Sequence, residues 1–220
     1  MTTTAETKEQ EDLKGRIISH YQEHLLLEGK NPASVYAFCK DLEIDEAEFY
    51  QYFSDFDQIA AHFWVELFEQ NIHRLEKTEE WSDFSAREKL LSFYYSFFEN
   101  LKSHRSYANL ILKEVHIARP KGASELKQFK SAFKSWSKVI IAEGKQKDEI
   151  AGRSKINDIY DALFWIQCLF LLDFWRKDRS AGFESTDEAI EKSVNLSFDL
   201  IEKNALDSAF DFGKFIFQNR

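Results

Sequence analysis

EIDEAEFYQYFSDFDQI, residues 43–59, is the stretch on which the reading of this chain turns. Asp45 sits where a helix N-cap belongs, followed by Phe49, Tyr50 and Phe53 at the spacing of one apolar helical face. Asp55 repeats the arrangement and opens a longer helix carrying Ile59, Phe63, Phe68 and Ile72 to about residue 77. The sequence therefore predicts a short helix, a tight turn and a long helix. The polar positions of this stretch are acidic: Glu43, Asp45, Glu46, Glu48, Asp55 and Asp57.

Upstream, Leu13, Ile17, Ile18, Tyr21, Leu25 and Leu26 recur at three-and-four spacing and predict a helix over residues 12–28, with Gly29 as its stop. Pro32 and Ser34 restart the chain, and Ser34 is placed to cap a short helix with Val35, Phe38, Cys39 and Leu42 on its apolar side. The lead-in MTTTAETKEQED lacks the charged-then-apolar layout of a signal peptide, and residues 1–11 are expected to be disordered. Downstream, looser periodicity predicts helices over about 85–102, 105–117, 122–144, 155–177 and 187–204. Glycine-containing breaks fall at 118–124, 143–154 and 178–186.

Composition agrees with an all-α chain. Two prolines and seven glycines in 220 residues leave few helix breakers, while Leu, Glu, Lys, Ala and Phe are abundant. No alternating β-branched runs bounded by Asn-Gly or Asp-Gly turns suggest strands. Cys39 and Cys168 lie far apart in apolar runs and read as buried thiols of a reduced, cytoplasmic protein. The apolar run ALFWIQCLFLL, residues 162–172, is too short to span a bilayer, so a membrane partner is not expected.

Residues 13–59 resemble the TetR family of one-component repressors. The family pattern is met at Gly29, Ser34-Val35, Phe38-Cys39, Glu43-Ile44, Tyr50 with Phe53, Phe56-Asp57 and Ile59, with matching spacings. The resemblance implies an N-terminal three-helix helix-turn-helix domain over residues 1–57 and a C-terminal helical ligand-binding and dimerisation bundle over 58–220. It implies a homodimer formed through about 156–176 and 187–204. IYDALFWIQCLFLLDFW is apolar nearly all round and would need burial on several sides. The positions that would face double-stranded DNA are Ser34, Lys40, Asp45, Glu46, Glu48, Tyr50 and Tyr52.

The charges run against ordinary use of that motif. The family's Gly-Val-Ser turn has become Glu43-Ile44-Asp45, and its phosphate-contacting Lys has become Phe56. Residues 1–57 hold 5 basic and 13 acidic side chains, a net charge of −8 out of −9 for the whole chain. Phosphate binding rests on Lys and Arg, so the acid is concentrated on the part expected to meet a polyanion. One glutamate in a recognition helix can read cytosine N4; two without a neighbouring cation are harder to place.

The bundle is expected to enclose an apolar small molecule among Trp64, Phe68, Phe93, Phe97, Tyr107, Phe133, Trp136, Phe164 and Trp165, a lining suited to a flat or greasy ligand. The same spacing equally fits solid core. His20 and His24 lie one turn apart, but no metal is assigned to them. No Glu-x-x-His pairs, G-x-S-x-G, Walker loop, H-E-x-x-H or dinucleotide fingerprint occurs, so neither an enzyme nor a cofactor is expected. Leu206, Phe210, Phe212, Phe215, Ile216 and Phe217 form an apolar tail over 205–220 that would pack on the core or a partner subunit; the alternative is an interfacial helix that presses into a membrane, against which its few cations, Lys214 and Arg220, weigh. The expectation is a ligand-responsive transcriptional regulator. The alternative is a protein of the same fold that has lost DNA binding and binds or carries a lipid-like or aromatic ligand.

Overall fold

The computed structural model describes residues 2–112, 124–150 and 157–201, with side chains from Leu13, Glu125 and Tyr160 onward in the three stretches. The helices are α1 (Thr2–Glu28), α2 (Val35–Leu42), α3 (Glu46–Tyr50), α4 (Phe56–Leu75), α5 (Ala86–Lys102), α6 (Arg105–Ile111), α7 (Lys127–Gln146), α8 (Asn157–Lys177) and α9 (Glu184–Ile201). No strand occurs among the described residues.

The caps read from the sequence are formed. Ser34 Oγ accepts from the Ala37 N–H at 3.1 Å and Asp55 Oδ1 from the Gln58 N–H at 2.9 Å, each satisfying an orphan donor of its helix. Gly29 stops α1 with φ of +67°, a left-handed conformation that costs glycine nothing. Several boundaries differ from expectation; α7 begins at Lys127 rather than 122, after a 3₁₀ turn over Ser124–Leu126. The lead-in expected to be disordered continues α1 back to Thr2; its Ala, Glu, Lys and Gln are strong helix formers, so propensity favours the extension. Helix α9 begins at Glu184 rather than 187, immediately after a turn in which Gly182 has φ of +61°. The expected tail at 205–220 lies outside the described residues.

Helices α1, α2, α3 and the first turn of α4 close on one aromatic cluster. Phe38 meets Phe49 at 5.8 Å and Phe56 at 5.4 Å, edge to face, and Phe49 meets Phe56 at 5.9 Å. Such arrangements add to the burial gain through ring quadrupoles. Helix α4 then leaves this cluster and packs against α5 and α7, while α6 packs on α1. Helices α8 and α9 lie side by side, α8 against α7 and α9 against α5.

Two contacts fix the frame. Arg105 donates to the Trp175, Arg176 and Asp178 carbonyls at 2.9, 3.3 and 3.0 Å, filling acceptors that the end of α8 leaves open. Its guanidinium also lies over Trp175 and Phe183, 4.7 and 4.3 Å from their centroids. Gly144 lets α7 approach closely, since a Cβ there would stand 2.8 Å from Ile150 Cδ1 and 2.9 Å from Ala86 Cβ.

Candidate nucleic-acid interface and bundle core

The short helices present the predicted polar positions to solvent. Ser34, Lys40, Asp45, Glu46 and Tyr50 are exposed, and Glu48 and Tyr52 are half-buried. The turn is made without glycine: Glu43 adopts φ of +58° and ψ of +43°. The Ile44 N–H bonds the Cys39 carbonyl across it at 3.0 Å. Arg16 clamps the turn from α1, its Nη2 donating to the Leu42 carbonyl at 3.3 Å.

The acids of the recognition helix are not equivalent. Glu48 folds back, its Oε2 accepting from the Asp45 N–H at 2.8 Å, and the two residues form a capping box. Both carboxylates therefore sit at the positive end of α3, where a negative charge is favourable. Glu46 remains exposed and projects no bond to its own helix end. Tyr36, one position past the α2 start, is 63% exposed; sequence reasoning missed it because an aromatic residue beside Val35 reads as core. Phe56, where the family has a cation, is built into the aromatic cluster.

The nine residues expected to line a ligand site do gather in the bundle. All are buried except half-buried Trp136. Trp136 lies 4.8 Å from Phe93, Phe93 stacks on Phe97 at 5.3 Å, and Phe68 meets Phe133 at 6.4 Å. Phe133 meets Trp165 at 5.9 Å. Phe129 of α7 joins them at 5.5 Å from both Phe97 and Trp165. Phe164 stands apart, packing on Phe198 of α9 at 5.9 Å, and Tyr107 contacts Phe63 at 5.0 Å. The rings touch one another as packed core does. Two polar atoms in this region, Trp64 Nε1 and Tyr107 Oη, are buried without hydrogen-bond partners among the described residues. Burial pushes the Tyr107 phenol far above its usual range, with neighbouring Tyr21 adding to the shift, so it is a hydroxyl donor and not an anion.

The outer sides of α8 and α9 carry uncovered apolar surface. Ile166 and Leu196 are 56% and 59% exposed. Phe170, Phe174, Ala189 and Leu196 line a groove of about 500 Å³ with Ser185, Glu188, Lys192 and Ser193. No cluster of three or more candidate metal ligands occurs among the described residues. His20 lies against Asp41 at 2.9 Å. Cys39 and Cys168 are buried free thiols. No described helix is long and apolar enough to cross a membrane.

An all-helical chain with a capped helix-turn-helix feeding a helical bundle defines a class of one-component regulator folds. The profile of the tetracyclin repressor-like C-terminal domain matches residues 89–216, more than half of the chain, and the protein belongs to that family. A solved structure from Syntrophomonas wolfei str. Goettingen, assigned to the TetR family of transcriptional regulators, is similar with a TM-score of 0.62 at 17% identity. The match covers 90% of this chain and 98% of that one. Comparison with the curated proteins gives no match.

Proposed function

We propose that the protein is a homodimeric, ligand-responsive transcriptional regulator. Residues 1–57 form its DNA-reading head, and residues 58–220 its ligand-binding and dimerisation unit. The observation that carries the reading is the capping box of α3. With Glu48 turned onto the Asp45 N–H, two of the acids that argued against DNA are spent on the helix end. Ser34, Tyr36, Lys40 and Tyr50 are exposed on the two short helices and the α2 cap, a set of donors for phosphates and base edges.

The other two activities follow from separate features. The groove between α8 and α9, flanked by exposed Ile166 and Leu196, suits a second copy of the chain. The unpaired Trp64 and Tyr107 donors favour a ligand that is mostly apolar but carries an acceptor oxygen or nitrogen. Ligand in the bundle would shift α4, which runs directly into the reading head, and so bias two dimer arrangements.

A second reading keeps the fold and ligand but drops DNA. It is favoured by the net charge of −8 on residues 1–57. Selection of bound duplexes from a random-sequence pool at low salt separates the two. A regulator enriches a two-fold symmetric site, and Lys40→Glu abolishes the enrichment. A carrier returns the pool unchanged while its bound molecule is still recovered by mass spectrometry after denaturation.

A further inference from the structure

We propose that the exposed face of α7 is a second nucleic-acid surface, one that holds the phosphate backbone of duplex DNA without reading its sequence. In a chain of net charge −9, residues 127–142 contain four lysines and no acidic residue. Lys127, Lys130, Lys134 and Lys138 fall within about 80° of arc on one side of the helix and form a row about 16 Å long.

The neighbours of the row on that face are Gln128, Ser131 and Ser135, which are exposed together with Lys127 and Lys138; Lys130 and Lys134 are half-buried. Phe129 and Phe133 turn the other way and are fully buried. The row is anchored from below. Lys134 Nζ and Lys138 Nζ stand 3.2 and 3.8 Å from Oδ2 of Asp161 on α8, a residue only 1% exposed. Lys130 Nζ lies over the Trp165 ring, 5.9 Å from its centroid. One buried carboxylate is thus set against four cations, and Lys127 and Lys130 pair with no carboxylate among the described residues. The acids that follow are engaged elsewhere: Glu143 pairs with Lys89, and Glu149 accepts from the Ala86 N–H.

The partner follows from the chemistry of the row. An acidic protein scatters its carboxylates among other side chains. A duplex presents a continuous line of charge, one phosphate about every 3.4 Å along each strand, so the row spans about five phosphates. Lys, Ser and Gln are the side-chain types that donate to phosphate oxygens in contacts that position a protein without selecting sequence.

The row belongs to the bundle and not to the head. The turn Ser124–Leu126 that leads into α7 packs on α4, and α7 itself packs on α4 and α8. Residues 1–57, with a net charge of −8, are short of the cations that attract a polyanion. Attraction and selection are therefore divided: the row supplies the first, and the reading head proposed above supplies the second. Binding along the row does not require the head to read DNA.

The test uses the full chain and the fluorescence anisotropy of a labelled random-sequence duplex over a salt series. Lys127→Gln with Lys138→Gln removes the two exposed ends of the row and leaves Lys134 on Asp161. It is expected to weaken binding about tenfold at low salt and to reduce the salt slope by about two. Ser131→Glu with Ser135→Glu adds repulsion while every lysine stays, and is expected to weaken binding as well. Lys77→Gln with Arg179→Gln, the same charge change at exposed sites off α7, leaves binding unchanged. The loss from Lys127→Gln with Lys138→Gln recurs in a Lys40→Glu background, while any enrichment of a symmetric site by the head survives it, so the row and the reading head fail separately. Equal affinity and slope for the native chain and both α7 variants, or displacement of the duplex by polyglutamate as readily as by unlabelled duplex of equal charge, overturns the proposal.

Discussion

Phe56 lies flat on Tyr21, with ring centroids 5.4 Å apart and planes 7° from parallel. The contact joins the first turn of α4 to the last third of α1. The Tyr21 hydroxyl is itself anchored, donating to Asn31 Oδ1 at 2.8 Å. Burial, with Asp57 and Glu125 nearby, pushes its pKa up to about 12, so the anchor persists at any physiological pH. The stack ties the start of α4 to α1.

Phe56→Ala removes that stack and the edge contacts to Phe38 and Phe49. Because Phe56 is half-buried, the expected cost is about 2 kcal/mol, below that of a fully buried phenylalanine. Urea denaturation followed by tyrosine and tryptophan fluorescence measures it. A change under about 0.5 kcal/mol, the range of ordinary surface substitutions, would show that the ring does not hold the junction.

Glu43 occupies the left-handed region that glycine adopts freely, at φ of +58°. A side chain there costs about 1 kcal/mol, and the added backbone entropy of glycine in the unfolded chain offsets part of the gain. Glu43→Gly is expected to stabilise the protein by roughly 0.5 kcal/mol and to remove one carboxylate from the head. A raised melting temperature checks the first effect. A lowered one would mean the Glu43 side chain makes a compensating contact.

Asp178 accepts from the Ser180 N–H and Oγ at 2.8 and 2.7 Å, and from the Thr186 N–H and Oγ1 at 2.9 and 2.6 Å. Burial pushes this carboxyl up, but the donors outweigh it and hold it below the ordinary aspartate value. Its contribution is therefore fully present above the unfolded pKa of about 3.9 and is lost as pH falls through the lower folded value. Asp178→Asn is expected to cost about 2 kcal/mol at neutral pH. It should also flatten the loss of stability below about pH 4. Unchanged acid sensitivity in the variant would assign that loss to other carboxylates.

Phe170 is 40% exposed on α8 and faces the groove that also holds Leu196 of α9. Phe170→Glu places a charge in the proposed subunit interface while leaving the protomer core untouched. Sedimentation at micromolar concentration is expected to show a dimer for the native chain and a monomer for the variant. Identical masses would move the interface elsewhere.

The helices were legible because their signals are local. Asp45, Ser34 and Asp55 announce helix starts by residue type, and Gly29 announces a stop. The extension of α1 to Thr2 was not legible because polar helix formers without an apolar stripe read equally as solvated chain. At the candidate interface, position was readable and orientation was not. Glu46 and Glu48 look alike in sequence, yet one is exposed and the other closes a capping box with Asp45. The lysine row of α7 went unnoticed because Phe129 and Phe133 interrupt it in sequence, and only the burial of those rings shows the acid-free face that remains. In the bundle, periodicity gathered Trp64, Phe93 and Phe133 but could not distinguish ring packed on ring from ring lining a space.

The most direct test of the account is the fluorescence anisotropy of labelled duplex DNA, from the region upstream of the gene and of random sequence, titrated with protein from very low to physiological salt. Tighter binding to the upstream duplex is expected, weakening as salt rises with a shallow slope, because Lys40 and few other cations release counterions. No binding to either duplex at the lowest salt, from protein freed of bound small molecule, would contradict it.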